Sequence, residues 1–127
     1  DSLSLFRSMR KEFNEIFSNN LNNQFIIFGI SEISEIAILS ANELNAKIVA
    51  VVDPNLSKKL YFNIPVLKKF PKKIYNQKVL ICTTHNAQEN YFEMINKLGK
   101  DRVLVIDSLF VSKKIPNFKP RMNYEKN

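Results

Sequence analysis

Gly29, Ser31 and Ser34 follow an apolar run at the spacing where a dinucleotide-binding turn carries its three glycines. A glycine at the first place lets the backbone turn sharply or lets a ligand approach. A serine hydroxyl at the second or third can bond a phosphate or ribose, and it also blocks the closest backbone approach. Two readings of this cluster stay open. In one, Gly29, Ile30, Ser31 and Ser34 line a phosphate or sugar. In the other, Gly29 makes a turn and Ser31 caps a helix. Glu32 and Glu35 place negative charge in that helix's first turn, which stabilises the helix and disfavours a pyrophosphate there.

Asp53 ends the next apolar run and is followed by Pro54 and Asn55. A carboxylate at that place accepts hydrogen bonds from ribose hydroxyls; the competing reading is that Asp53-Pro54-Asn55 starts a turn. Thr83, Thr84 and His85 follow a third run, where small hydroxyl groups can line a pocket and His85 can meet an anion. Asp107-Ser108 ends a fourth. No second acid or base stands near His85 in sequence to form a dyad or triad. Cys82 lies inside an apolar run and reads as a small core residue. No Walker-type lysine loop, nucleophile elbow or metal cluster is present, so no catalytic residue is assigned.

The elements that position these residues follow from periodicity. Residues 4–21 have helical spacing, with Leu5, Met9, Phe13, Ile16 and Phe17 on one stripe. That stripe could cover a sheet, pair with another copy of the chain, or belong to a connector from an upstream domain. Residues 24–30 are apolar on both faces, as in a central parallel strand. A helix over 32–44 starts at the Ser31 cap and leaves through a left-handed Asn45. Strands are expected at 48–52, at 60–67 (an edge strand, because of Pro65), at 79–83 and at 103–106. Asn86 with Glu89 spells a capping box for a helix that Gly99 ends. Alternation of strands and helices implies an α/β fold with a five-stranded parallel sheet of order 3-2-1-4-5 and an extra N-terminal helix. Ligands of such sheets bind beyond the carboxyl ends of the strands, where the chain leaves in opposite directions.

The 127 residues suffice for one core. Expected boundaries are a connector or dimerisation helix at 1–23, the nucleotide-binding domain at 24–112 and a basic tail at 113–127. A lone cysteine excludes an internal disulfide framework and fits a reducing cytoplasm. No apolar run approaches the ~20 residues that span a bilayer, and no membrane partner is expected. The formal net charge is +7, unevenly placed. Between Pro54 and Gln88 there is no acidic residue, but there are Lys58, Lys59, Lys68, Lys69, Lys72, Lys73 and Lys78. Such a surface favours anionic partners, unless the lysines are simply solvated faces.

Three motifs carry a family resemblance: the opening from Ile26 through Gly29-Ile-Ser-Glu-Ile-Ser-Glu-Ile to Ala37; Ile48-Val-Ala-Val-Val-Asp-Pro-Asn55 with Phe62-Asn-Ile-Pro-Val-Leu67; and Val79-Leu-Ile-Cys-Thr-Thr84 with the helix to Gly99. Together they resemble the Rossmann-like three-layer nucleotide-binding domain of bacterial polysaccharide-biosynthesis (sugar-nucleotide) proteins. The opening with its preceding helix is also similar to the C-terminal domain of winged-helix MarR-type regulators associated with exopolysaccharide genes. The resemblance implies a non-catalytic sensing domain for a nucleotide, NAD or sugar-nucleotide. It also implies contact with DNA only through an attached domain outside this chain, while the stripe of Leu5, Met9, Phe13, Ile16 and Phe17 is what supports the expectation of a homodimer. The alternative it implies is an accessory domain of a sugar-nucleotide-modifying enzyme.

Overall fold

The computed structural model describes residues 2–56, 58–72, 76–84 and 86–111. The expected tail at 113–127 and the candidate His85 lie outside them. Helix α1 (Ser2–Ser18) precedes β1 (Gln24–Phe28), α2 (Glu32–Leu44) and β2 (Lys47–Val52). The short strands β3 (Leu60–Tyr61) and β4 (Ile64–Leu67) follow. Then come β5 (Lys78–Ile81), α3 (Ala87–Leu98), a 3₁₀ turn at Lys100–Arg102, β6 (Val103–Leu104) and α4 (Asp107–Val111). The fold is mixed α/β around one mostly parallel sheet.

That sheet corrects the expected five strands in order 3-2-1-4-5. It has six strands in the order β3-β4-β2-β1-β5-β6. Every neighbouring pair is parallel except β3 with β4. The difference arises because the run 60–67 divides. Phe62 and Asn63 both adopt left-handed backbone, with φ of 52° and 63°, which matches the tight turn that reverses a hairpin. Pro65 therefore lies inside the sheet rather than on its edge. Pairing of β4 with β2 begins one residue later, at Val66, so the missing N–H of Pro65 opens no gap in that ladder. The last strand is also shorter than expected: β6 stops at Leu104, and Asp107 and Ser108 begin a helix.

The core explains why α1 forms. Its Met9, Phe13 and Phe17 are buried, and the Phe17 ring meets Phe25 of β1 edge-on with centroids 4.9 Å apart. Each such side chain contributes about 1.5–3 kcal/mol through removal from water. The expected stripe is thus largely core, with Ile16 half-buried and Leu5 exposed near the helix start. Two polar contacts align α1 against α2: the Arg10–Glu43 ion pair at 2.6 Å and a hydrogen bond from Ser40 to Asn14. The Glu12 carboxylate of α1 accepts from the Asp107 N–H at 2.6 Å and from the Ser108 N–H and hydroxyl. It thereby supplies the start of α4 with an anion from a distant part of the chain.

The helix caps divide. Ser31 caps α2 as expected, with Ser34 completing the reciprocal pair, and Asn45 leaves it at φ 58°. Gly99 ends α3 at φ 98°. The capping box at α3 is not made: Asn86 has left-handed backbone, φ 53°, and no side-chain bond to the helix. Asn86 enters α3 from the wrong backbone region for a side-chain cap, which needs extended dihedrals at that position.

Candidate functional site at the carboxyl ends of the strands

The ends of β1, β2 and β5 converge through their backbones. The Gly29 N–H donates to Val52 O at 2.8 Å, and Cys82 N–H donates to Phe28 O at 2.9 Å. Gly29 has φ +100°, and a methyl group there would stand 2.6 Å from the Thr83 Cβ and 2.8 Å from its backbone N and Cα. Glycine is required here by the approach of β5, a role that needs no ligand.

Ser31 and Ser34 are committed to the protein. The Ser31 hydroxyl donates to the Cys82 carbonyl at 2.6 Å and accepts from Ile33 N–H at 3.0 Å. Ser34 is fully buried. Its hydroxyl donates to Ser31 O at 2.7 Å, accepts from Ser31 N–H at 2.9 Å, and lies 3.1 Å from the Tyr61 hydroxyl. A phosphate on this turn would have to displace these bonds and approach Glu32 and Glu35, both exposed in the first turn of α2. The Ile30 N–H is also taken, by the Asp53 carboxylate at 2.9 Å.

Asp53 is the hub of the edge. Only 9% of it is exposed. One carboxylate oxygen accepts from Ile30 N–H and the other from Asn55 N–H, each at 2.9 Å. Its own N–H donates to Leu67 O at 2.9 Å. The turn through exposed Pro54 and Asn55 is therefore real, and the same carboxylate also ties β2 to the β1–α2 loop. An ionised carboxylate has about four acceptor positions, so each oxygen retains one direction for a further donor. Thr83 and Thr84 are half-buried at the end of β5, with Thr83 pressed against Gly29.

Sequence reasoning missed Tyr61. It is buried on β3, and its hydroxyl reaches Ser34 and the Ser31 carbonyl at the start of α2. Burial raises its pKa above the ordinary 10.0, partly offset by the Ser34 bond and reinforced by the Glu35 charge. The available signal was a hydroxyl on a ring inside an apolar run, since a buried tyrosine usually finds a partner. Asp107 and Ser108, expected at this edge, are instead bound by Glu12. Among the described residues, no three His, Cys, Asp or Glu side chains gather as metal ligands would, and no helix is long and apolar enough to cross a membrane. Comparisons with protein-family models, with curated proteins and with solved structures give no match.

Proposed function

We propose that this chain is a non-catalytic ligand-binding domain, a Rossmann-like three-layer unit that takes the sugar of a nucleotide-type molecule at Asp53. The observation that carries this reading is the state of that carboxylate. It is almost enclosed and held by two backbone N–H groups, one on each oxygen, and by valence each oxygen can accept one further donor. A vicinal diol offers two hydroxyl donors to such a carboxylate. The committed bonds of Ser31 and Ser34 and the two glutamates of α2 argue for a neutral sugar rather than a phosphate on the helix start.

On this reading ligand occupancy is relayed to an attached domain, as the resemblance to winged-helix regulators suggests. Homodimerisation and contact with DNA through that attached domain are parts of the same proposal. The test is calorimetric titration of adenosine, ADP, NAD and a UDP-sugar into the wild type and into Asp53→Asn. A loss of about ten-fold in affinity for the nucleoside is expected, the scale of one charge-assisted hydrogen bond. Absence of binding by the wild type, or equal affinity in Asp53→Asn, would end the assignment.

A further inference from the structure

The four exposed lysines that flank the hairpin are separated in sequence into two pairs, Lys58-Lys59 and Lys68-Lys69. The fold brings them to one edge. Strand β4 runs parallel to β2, so its last residue, Leu67, lies level with Val52 and accepts from Asp53 N–H. Lys68 and Lys69 follow immediately. Strand β3 runs the other way, with Leu60 opposite Pro65, and the Lys59 carbonyl accepts from Val66 N–H at 3.0 Å. Its amino end, with Lys58 and Lys59, therefore sits at the carboxyl end of β4.

Two aromatic contacts direct this segment toward the candidate site. The Lys58 ammonium lies 5.7 Å from the centre of the Tyr61 ring, within cation–π range, and that ring's hydroxyl touches the start of α2. Phe70 stacks on Phe28, the last residue of β1, at 5.6 Å. Between Leu67 beside Asp53 and Phe70 beside Phe28, the chain passes from β4 to β1, so Lys68 and Lys69 lie along the edge that Asp53 occupies. Among the described residues, the carboxylates beside this edge are Asp53 and, in the first turn of α2, Glu32 and Glu35; the sequence has no acidic residue between Pro54 and Gln88.

We infer that Lys58, Lys59, Lys68 and Lys69 hold the anionic end of the ligand, a phosphate or diphosphate, outward over β2 and β4. The usual place for such a group, the start of α2, is closed by its own hydrogen bonds and repelled by Glu32 and Glu35. This inference rests on the sugar site at Asp53, and it selects nucleoside phosphates over free nucleosides. It also gives four of the seven lysines between Pro54 and Gln88 a role without invoking nucleic acid.

The experiment follows backbone amide shifts by NMR in the full 127-residue chain during titration with inorganic pyrophosphate, with calorimetry of adenosine and ADP in parallel. Pyrophosphate is expected to move the amides of 58–60 and 67–69. The effect should weaken between ionic strengths of ~0.01 M and ~1 M, as the screening length falls from ~30 to ~3 Å. ADP is expected to bind about ten-fold more tightly than adenosine, and the double variant Lys58→Ala/Lys68→Ala to remove that preference while adenosine affinity stays constant. Adenosine and ADP binding equally, or a preference that survives the double variant, would overturn the lysine site and leave the sugar site standing. Pyrophosphate shifts at these lysines without adenosine binding would do the reverse, supporting the anion site and removing the sugar site. Unmoved lysine amides with both pyrophosphate and ADP would refute the inference outright.

Discussion

Two of the strand-to-helix junctions of this sheet have similar local sequence logic and opposite outcomes. At the β1–α2 junction, Ser31 and Ser34 cap the helix reciprocally, and Asp53 reaches across from β2 to take the Ile30 N–H. At the β5–α3 junction, Asn86 is a good capping residue by type but has left-handed backbone and makes no side-chain bond to the helix. The first junction is closed by bonds from three segments of the chain, and the second is not closed from its own cap. A cap works only when the backbone enters from the extended region, and that entry is decided by what the preceding loop must pack against.

Two glycines sharpen the contrast. Gly29 and Gly99 have nearly equal φ, +100° and +98°, but an added Cβ would strike the Thr83 backbone at the first and meet nothing within 4 Å at the second. The largest expected effect follows from this pair. Gly29→Ala should destabilise the fold by about 3 kcal/mol, combining left-handed strain with overpacking, whereas Gly99→Ala should lose about 1 kcal/mol from strain alone. Denaturant unfolding of both variants measures the difference. Equal losses would mean that β5 yields readily at Thr83 and that the first junction is not tightly closed.

Next in size is Asp53→Ala. It strands the Ile30 and Asn55 N–H groups and should remove about 2 kcal/mol. Hydrogen exchange should quicken at Ile30 and Asn55 while the amides of α3 keep their protection. Uniform quickening across both junctions would show that Asp53 holds the whole sheet rather than one edge of it.

A matched pair of cap variants tests the junctions directly. Ser31→Ala should lower stability by about 1 kcal/mol, because a helix cap and the bond to Cys82 go together. Asn86→Gly, which removes the side chain and keeps the left-handed backbone without strain, should change it by less than about 0.5 kcal/mol, as for a surface position without a cap bond. Thermal unfolding distinguishes these, and equal shifts would erase the contrast between the junctions.

The smallest effect at neutral pH concerns Cys82, which joins the junctions by donating its N–H to Phe28 and accepting from Ser31. Full burial pushes its thiol well above the ordinary value of 9.0. The folded chain thus keeps a proton that the unfolded chain releases. That contribution is intact below pH 9.0 and declines above it, by up to about 1.4 kcal/mol for each pH unit per proton. Tyr61 shifts in the same direction above its ordinary 10.0. Unfolding curves from pH 7 to pH 10.5 for wild type and Cys82→Ala read this out: the wild type should lose more stability above pH 9 than the variant. Thiol labelling of the native wild type should be slow across the same range, and fast labelling at neutral pH would contradict the burial.

The β1–α2–β2 unit was legible because its signals are local. The apolar run of β1, the spacing of Ile33, Ile36, Ala37 and Ala41, the Ser31 cap and the Asn45 exit all act within a few residues. The hairpin was not legible, since the turn rests on Phe62, a residue with no intrinsic liking for positive φ. Ser31, Ser34 and Asp53 were found as chemistry-bearing residues, but their bonds to Cys82, Tyr61 and Ile30 are made with partners 23 to 51 positions away.

Local periodicity and capping chemistry, read from the chain alone, determined an alternating α/β fold and placed Asp53 at a strand end. The tertiary structure decided the rest. It chose six strands over five, made Gly29 obligatory through Thr83, gave the start of α4 to Glu12, and tied Asp53 to the Ile30 N–H across the sheet edge. The physical reason is separation along the chain. Propensities report what a segment does within its own few turns, whereas strand register and close packing between remote segments are settled only when the whole sheet assembles.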